Sequence, residues 1–148
     1  MEYNGFIKRT NQILLGADMK IIVRYYSRSG NTKMIAEAIG KAIDADVRSV
    51  DSVTDDKADV LFAGGALYAY GLDHHLNEYL DSMKNENVGK AVLFSSTWIS
   101  NHSLDLMRKK FEEKGIEVCS ESFYVRGKPS VKQLEEAAGF ARRCVETC

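Results

Sequence analysis

The stretch "YYSRSGNTKMIAEAI", residues 25–39, decides how this chain is organised. It joins the end of an apolar run to a segment in which Met34, Ile35, Ala38 and Ile39 recur at helical spacing. Small and hydroxyl residues lie between the two, and they allow a tight turn and offer hydrogen-bonding groups. The stretch therefore predicts a strand, a donor-rich loop and an amphipathic helix in succession.

Similar apolar runs along the rest of the chain predict five strands, at residues 21–26, 47–50, 60–64, 91–95 and 118–125. Three of these runs are almost continuously apolar, which is typical of parallel strands covered on both faces. Helical patterns separate the strands, although residues 51–59 leave room for a short helix only. We therefore predict an α/β fold with a three-layer, doubly wound, five-stranded parallel sheet in the strand order 2-1-3-4-5.

Length, composition and charge favour a single domain that binds a small molecule or another protein. The chain has 148 residues, of which 45% are hydrophobic, and a formal net charge of −1. This charge gives no reason to expect nucleic acid or an acidic membrane surface as partner. No apolar run is long enough to span a membrane and no signal peptide is evident, so we expect a cytoplasmic protein.

The three cysteines, Cys119, Cys144 and Cys148, are expected to be reduced thiols. Their number is odd, and their spacing fits neither a CxxC motif nor a zinc pattern. We expect no metal site.

The first eighteen residues show no sustained hydrophobic period, and a second methionine, Met19, opens directly onto the first strand pattern. Two interpretations stay open. Either residues 1–18 are an N-terminal extension outside a domain that comprises residues 19–148, or their apolar segment at residues 6–15 packs against that domain.

The loop at residues 27–32 has the composition of an anion site. In doubly wound sheets, ligands bind beyond the carboxyl ends of the strands, at the switch point that the first and third strands flank. The start of the next helix offers unpaired amides and a partial positive charge. The loop adds donors and a flexible backbone position through Ser27, Ser29, Gly30, Asn31 and Thr32. This favours a phosphate, and helix capping by Ser29 or Asn31 is the alternative.

Several phosphate-handling families are excluded by residues that the chain lacks. It contains neither GxxxxGK followed by serine or threonine nor GxGxxG. Tyr25 and Tyr26 stand where a receiver domain needs acidic residues, and the loop has no cysteine that could act as a phosphatase nucleophile. We therefore expect the anion to be bound and not processed.

The segment "SRSGNT", residues 27–32, resembles the phosphate loop of flavodoxins, in which two serine or threonine residues separated by one residue precede glycine, any residue and threonine. The resemblance spans Met19 to the C-terminus. It implies that this loop, including Arg28, holds the phosphate of FMN, and that the loops after the third and fourth strands enclose the flavin ring. The residues implied in those two loops are Ala66, Leu67, Tyr68, Ala69, Tyr70, Gly71, Ser95, Ser96, Thr97 and Trp98.

Aromatic residues in the two ring loops are the candidates for stacking on the flavin, namely Tyr68, Tyr70 and Trp98. Each tyrosine is alternatively part of the edge of the core. Three histidines follow the loops and are expected to be solvated first-turn residues, with contact to flavin or substrate as the alternative; they are His74, His75 and His102. Two features depart from most flavodoxins, because this chain is nearly neutral and Arg28 lies inside its phosphate loop.

The resemblance implies an electron-transfer protein that works between redox partner proteins, a reductase and an acceptor. FMN would supply the chemistry, so no catalytic side chain is expected. Two alternatives stay open. The chain is an FMN-dependent oxidoreductase that takes hydride from NAD(P)H itself, with Trp98, His75 or His102 near the substrate, or it is a binding module that keeps the fold without redox turnover.

Overall fold

The computed structural model describes residues 19–52, 56–68, 71–98 and 100–147. The strands in these ranges are β1 (Ile21–Tyr25), β2 (Asp46–Ser49), β3 (Ala58–Gly65), β4 (Leu67–Tyr68), β5 (Gly71–Leu72), β6 (Val88–Ser96), β7 (Glu117–Val118) and β8 (Phe123–Val125). The α-helices are α1 (Asn31–Ile43), α2 (His74–Ser82), α3 (His102–Glu113) and α4 (Val131–Thr147). Short 3₁₀ turns cover Val50–Ser52 and Asn85–Asn87.

Six strands form one parallel sheet, in which β2, β1, β3 and β6 are consecutive neighbours and both β7 and β8 pair with β6. This confirms the predicted doubly wound topology, with two short strands in the fifth position. The prediction of one continuous strand at residues 118–125 is wrong, because the pairing is interrupted between β7 and β8. The sequence there is Ser-Glu-Ser, residues 120–122, which has no apolar side chain to pack on either face of the sheet.

Helices cover both faces of the sheet, as predicted. Consecutive residues of a strand point to opposite faces, so the central strands supply two cores. On one face Val23 and Phe62 pack with residues of α1 and α4, and on the other Ile22 and Leu61 pack with residues of α2 and α3. This double burial explains why the strand sequences are apolar almost without interruption.

Cys119 is disulfide-bonded, so the expectation that all three cysteines are reduced is wrong for this residue. Spacing along the chain could not show this, because it does not tell which thiols meet in the fold. The Cys144 Sγ atom lies 3.7 Å from the Cys119 Sγ atom in the core and belongs to a free thiol. Burial raises the pKa of Cys144 to about 11, so this thiol is protonated at neutral pH and packs as an apolar group.

Parts of the sequence on which predictions were made lie outside the described residues. They are residues 1–18, Ala69, Tyr70 and Cys148, and the interpretations given for them stay predictions. Among the helices that are described, none combines the length and the apolar character needed to cross a membrane.

Candidate functional site

The loop between β1 and α1 lies at the carboxyl edge of the sheet, where the sequence placed it. Because β3 is the parallel neighbour of β1, the loops that follow these two strands meet at this edge. The Tyr26 amide donates to the Gly64 carbonyl at 3.2 Å, which extends the pairing with β3 by one residue beyond β1. The loop therefore leaves the sheet from a fixed point.

Hydrogen bonds from the loop's own amides to its serines shape its backbone. The Gly30 amide donates to Ser27 Oγ at 3.0 Å, and the Asn31 amide donates to Ser29 Oγ at 3.3 Å. Gly30 has a φ of +93°, a left-handed conformation that favours glycine. A Cβ atom added to Gly30 would meet nothing within 4 Å, so open space lies beside the backbone at the start of α1.

Helix α1 begins without a side-chain cap. Its N-cap residue is Gly30, and the first helical bond runs from the Met34 amide to the Gly30 carbonyl at 3.0 Å. The alternative in which Ser29 or Asn31 serves as the N-cap is therefore wrong. Within the described part of the chain, the amides of Thr32 and Lys33 have no acceptor. They lie at the positive end of the helix, next to the open space at Gly30.

Arg28 joins this loop to the loop that follows β3. Its Nε atom donates to Asp73 Oδ2 at 2.8 Å, and its guanidinium carbon lies 4.0 Å from the centroid of the Tyr68 ring. A cation–π contact of this kind contributes about 0.5–1 kcal/mol at a partly exposed site. The sequence predicted Arg28 and Tyr68 as site residues, but it did not predict that they would touch.

Asp73 is a site residue that the sequence reading did not identify. Its side chain is 0% exposed and accepts hydrogen bonds from the His75 amide at 2.8 Å and from Arg28 Nε, and its Oδ1 lies 3.0 Å from His75 Nδ1. Burial acts to raise the pKa of Asp73, but the hydrogen bonds from His75 and Arg28 and the Arg28 charge together hold that pKa below its ordinary value. Asp73 is thus an ionised anchor, and an aspartate just before a helical pattern is the signal that could have revealed it.

The histidines divide into two kinds. His74 lies 3.0 Å from Glu78, His102 lies 3.8 Å from Asp105, and all four side chains are mostly exposed, which confirms the solvated interpretation for these two histidines. His75 differs, because its ring stacks on Tyr26 with centroids 4.3 Å apart and planes inclined by 11°. Together with its contacts to Asp73, this fixes the start of α2 against the end of β1.

The loop after β3 forms a small antiparallel hairpin, in which β4 pairs with β5 outside the main sheet. Ala66 and Leu67 are buried, Tyr68 is half-buried, and Gly71 is the partner of Tyr68 across the hairpin. Burial raises the pKa of Tyr68, so its hydroxyl is neutral at physiological pH. Residues 69 and 70, which lie between β4 and β5 in the sequence, are outside the described residues.

The hydroxyls of Ser95 and Ser96, the last two residues of β6, form hydrogen bonds inside the fold. Ser95 Oγ donates to the Gly65 carbonyl at 2.6 Å, and Ser96 Oγ donates to the Gly127 carbonyl at 2.7 Å. The Thr97 amide donates to the Val125 carbonyl at 3.2 Å. The predicted residues Ser95, Ser96 and Thr97 thus lie at the carboxyl edge of the sheet, as expected. Their hydrogen bonds connect the end of β6 to β3 and to the end of β8.

Trp98 is 68% exposed and rests against the backbone of Gly127. A Cβ atom at Gly127 would lie 2.3 Å from Cζ2 of the indole, and the φ of Gly127 is +76°. Only glycine therefore allows the indole to lie this close. The described parts of all three predicted loops meet at one edge of the sheet, with Trp98 at its outer boundary.

A family model for the flavodoxin domain matches residues 22–138, which is more than half of the chain. The chain belongs to the flavodoxin family. No curated protein matched it. Among solved structures, a flavodoxin from the domain Archaea aligns at 27% identity with a TM-score of 0.74, covering 86% of this chain and 97% of that one.

Two further structures share the fold. Oxidised Flavodoxin 1 from Bacillus cereus aligns at 22% identity with a TM-score of 0.75, and the match covers 87% of this flavodoxin and 99% of that chain. Rubredoxin oxygen:oxidoreductase from Desulfovibrio gigas aligns at 14% identity with a TM-score of 0.75, covering 83% of this flavodoxin and 34% of that chain. The fold therefore occurs both as a whole flavodoxin and as part of a larger enzyme.

Membership of the family implies a flavin cofactor, and the residues present fit the phosphate end of one. The amides of Thr32 and Lys33 are free to donate within the described structure, they lie at a helix start, and Gly30 leaves open space beside them. A helix start with free amides is a site at which proteins bind phosphate groups.

Proposed function

We propose that this flavodoxin binds FMN and carries single electrons between protein partners, a reductase and an acceptor, in the cytoplasm. The observation that supports this most is the uncapped start of α1, where free amides border the open space beside Gly30. A riboflavin-type ligand without phosphate would leave these donors unused. FMN brings a phosphate with about two negative charges to the same place.

The phosphate loop would hold the anion through its backbone, with side chains in support. Ser27 and Ser29 accept hydrogen bonds from loop amides, which leaves their hydroxyl hydrogens available to a phosphate oxygen. Asn31 adds a side-chain amide and Thr32 a buried hydroxyl at the start of the helix. Charge-assisted bonds of this type are worth about 1.5–3 kcal/mol each.

Arg28 has a positioning role in this proposal. Its charge is paired with buried Asp73, so the positive charge that the sequence suggested at the phosphate is partly neutralised. Its contact with the Tyr68 ring instead holds the hairpin loop against the phosphate loop. Because the two loops would bind opposite ends of FMN, this contact sets their spacing before the cofactor arrives.

The other two loops would enclose the ring. Tyr68 on the hairpin and Trp98 beyond β6 offer aromatic surfaces, and Ala66 and Leu67 are buried apolar residues beside Tyr68. Residues 95–97 are held in place by hydrogen bonds of two serine hydroxyls and the Thr97 amide. When bound, FMN supplies the redox chemistry. The protein binds it, orients it and excludes water from it.

An NADPH oxidation assay on the FMN-loaded protein tests this function. We expect added FMN fluorescence to be quenched on binding, no NADPH oxidation by the loaded protein alone, and NADPH-dependent reduction of cytochrome c once a flavoprotein reductase is added. Direct oxidation of NADPH at catalytic rates would show a self-sufficient oxidoreductase. A protein that does not bind FMN would be a binding module, and the proposal would be wrong.

A further inference from the structure

Two large hydrophobic side chains are exposed within the described residues, and both lie at the carboxyl edge of the sheet. Trp98 follows β6 and is 68% exposed, and Val131 is the first residue of α4 and is 75% exposed. The loop between β8 and α4 runs from Gly127, which lies against the Trp98 indole, to Val131, and β8 itself pairs with β6. Exposed aromatic and aliphatic groups beside a redox site are typical of a docking surface.

Three cationic residues lie next to Gly127 and Val131 in the sequence. Arg126 and Lys128 are the immediate neighbours of Gly127, Lys132 follows Val131, and all three are exposed. No salt bridge involves any of the three within the described part of the chain, whereas Arg28 at the same edge is paired with Asp73. We refer to Trp98, Arg126, Lys128, Val131 and Lys132 as the basic Trp98 surface.

The segments that form this surface carry no carboxylate. The sequence has 21 aspartate and glutamate residues, yet none occurs in residues 87–104, which include β6 and its loop, or in residues 122–134, which include β8 and the start of α4. The next carboxylates along the chain are Glu121, Glu135 and Glu136, and in the described structure none of them forms an ion pair with Arg126, Lys128 or Lys132. Although the formal net charge of the chain is −1, three exposed cations without a salt bridge in the described structure therefore lie in the segments that carry Gly127 and Val131.

The arrangement fits a protein better than a dinucleotide phosphate. An apolar centre with charged residues around it is the usual anatomy of a protein interface. A phosphate pocket needs polar groups that converge on one point, but the nearby Ser96 hydroxyl is already bonded to the Gly127 carbonyl. The cations instead extend from a loop into the first turn of a helix.

We propose that the basic Trp98 surface docks an electron-transfer partner with an acidic surface around its own redox centre. This proposal rests on the proposed electron-transfer function and adds the chemistry of the partner. Attraction between opposite charges steers such encounters and can raise association rates by about 10- to 1000-fold at low salt. Val131 and the side of the Trp98 indole that does not face the flavin would form the apolar contact once the partner has arrived.

Stopped-flow electron transfer with two cytochromes as probes tests the proposal. The FMN-loaded protein is reduced and mixed with a c-type cytochrome whose haem edge is acidic, or with one whose haem edge is basic, over a range of ionic strength. The test variant combines Arg126→Glu with Lys128→Glu. The matched control combines Lys57→Glu with Lys84→Glu, which makes the same change in charge at two exposed lysines next to the amino ends of β3 and β6.

We expect the acidic cytochrome to be reduced faster than the basic one, with a rate constant that falls as salt rises because the charges are screened. The test variant should lose about tenfold or more of that rate at low salt, and the control should lose less than about twofold. FMN affinity, measured by fluorescence quenching, should be unchanged in both variants, which separates docking from cofactor binding.

Four outcomes would overturn the proposal. If the test variant reduced the acidic cytochrome at the wild-type rate, or if the wild-type protein reduced the basic cytochrome faster, docking of an acidic partner would be refuted while electron transfer would stand. If the loaded wild-type protein oxidised NADPH by itself, and the test variant did so more slowly with unchanged cytochrome rates, the cations would be assigned to a dinucleotide and the proposed function would fail as well. If the loaded wild-type protein reduced neither cytochrome, the proposed function itself would fail and the docking surface with it.

Discussion

Replacing Asp73 by asparagine should release Arg28 while leaving the start of α2 capped. Asparagine has the same shape and can still accept the His75 amide bond, and it is as good an N-cap as aspartate. Its amide nitrogen would then face Arg28 Nε, so a donor would meet a donor in place of the present 2.8 Å bond. The substitution therefore removes one interaction and keeps the other.

The size of the effect follows from the exposure of the two partners. A hydrogen bond to a charged group contributes about 1.5–3 kcal/mol. Asp73 is buried, but the Arg28 side chain is 54% exposed, so solvent screening lowers this to about 1–2 kcal/mol. In a domain of this size we expect the melting temperature to fall by about 3–8 °C. Asp73→Ala, which also removes the cap, should cost about 1 kcal/mol more.

Urea unfolding of Asp73→Asn, Arg28→Met and the double variant measures the coupling directly. Because the two residues share one bond, the double variant should be less destabilised than the sum of the single variants, by about 1 kcal/mol or more. Lys33→Met, at an exposed lysine without a salt bridge in the described structure, is the matched control and should be additive with Asp73→Asn. If the effects of Asp73→Asn and Arg28→Met simply add, the anchoring role assigned to Asp73 is wrong.

Three further predictions concern pH, Gly127 and the N-terminus. The folded-state pKa of Asp73 is lowered, so its contribution to the free energy of unfolding is complete above the unfolded pKa of about 4 and is lost as pH falls through the folded pKa. In urea titrations, the stability difference between wild type and Asp73→Asn should therefore be constant from pH 7 to about pH 5 and should disappear in acid. Gly127→Ala should lower the free energy of unfolding by about 1–2 kcal/mol, because alanine is strained at the positive φ of this position. It should also shift the fluorescence emission of Trp98, the single tryptophan, because a Cβ atom would displace the indole, and unchanged emission would contradict the contact. A chain that starts at Met19 should bind FMN within about twofold of the full chain, since the family match begins at residue 22, and a melting temperature lower by several degrees would show that residues 1–18 belong to the domain.

The sheet and the phosphate loop could be predicted because their signals are local. Strands buried on both faces must be apolar almost throughout, and a loop that ends a strand and begins a helix shows its donors within residues 27–32. The strand order followed from the fold class. These features need no knowledge of which distant residues meet.

The features that the sequence did not reveal depend on contacts between distant segments. Arg28 and Asp73 are 45 positions apart, and no local pattern pairs them. Ser95 and Ser96 are predicted site residues, and no local pattern showed that their hydroxyls bond to carbonyls about thirty positions away. The disulfide at Cys119 is likewise a matter of which thiols the fold brings together. The interruption between β7 and β8 is an exception, because its polar residues were visible in the sequence.

Comparison of FMN and riboflavin affinities tests the central claim most directly, since the two ligands differ only in the phosphate. With two or more charge-assisted bonds at the start of α1, FMN should bind about a hundredfold or more tightly than riboflavin in fluorescence titrations. Ser29→Ala combined with Thr32→Val should reduce that ratio about tenfold, whereas Ser120→Ala combined with Thr147→Val, at exposed positions away from the site, should leave it unchanged. Equal affinities for FMN and riboflavin in the wild-type protein would contradict the account.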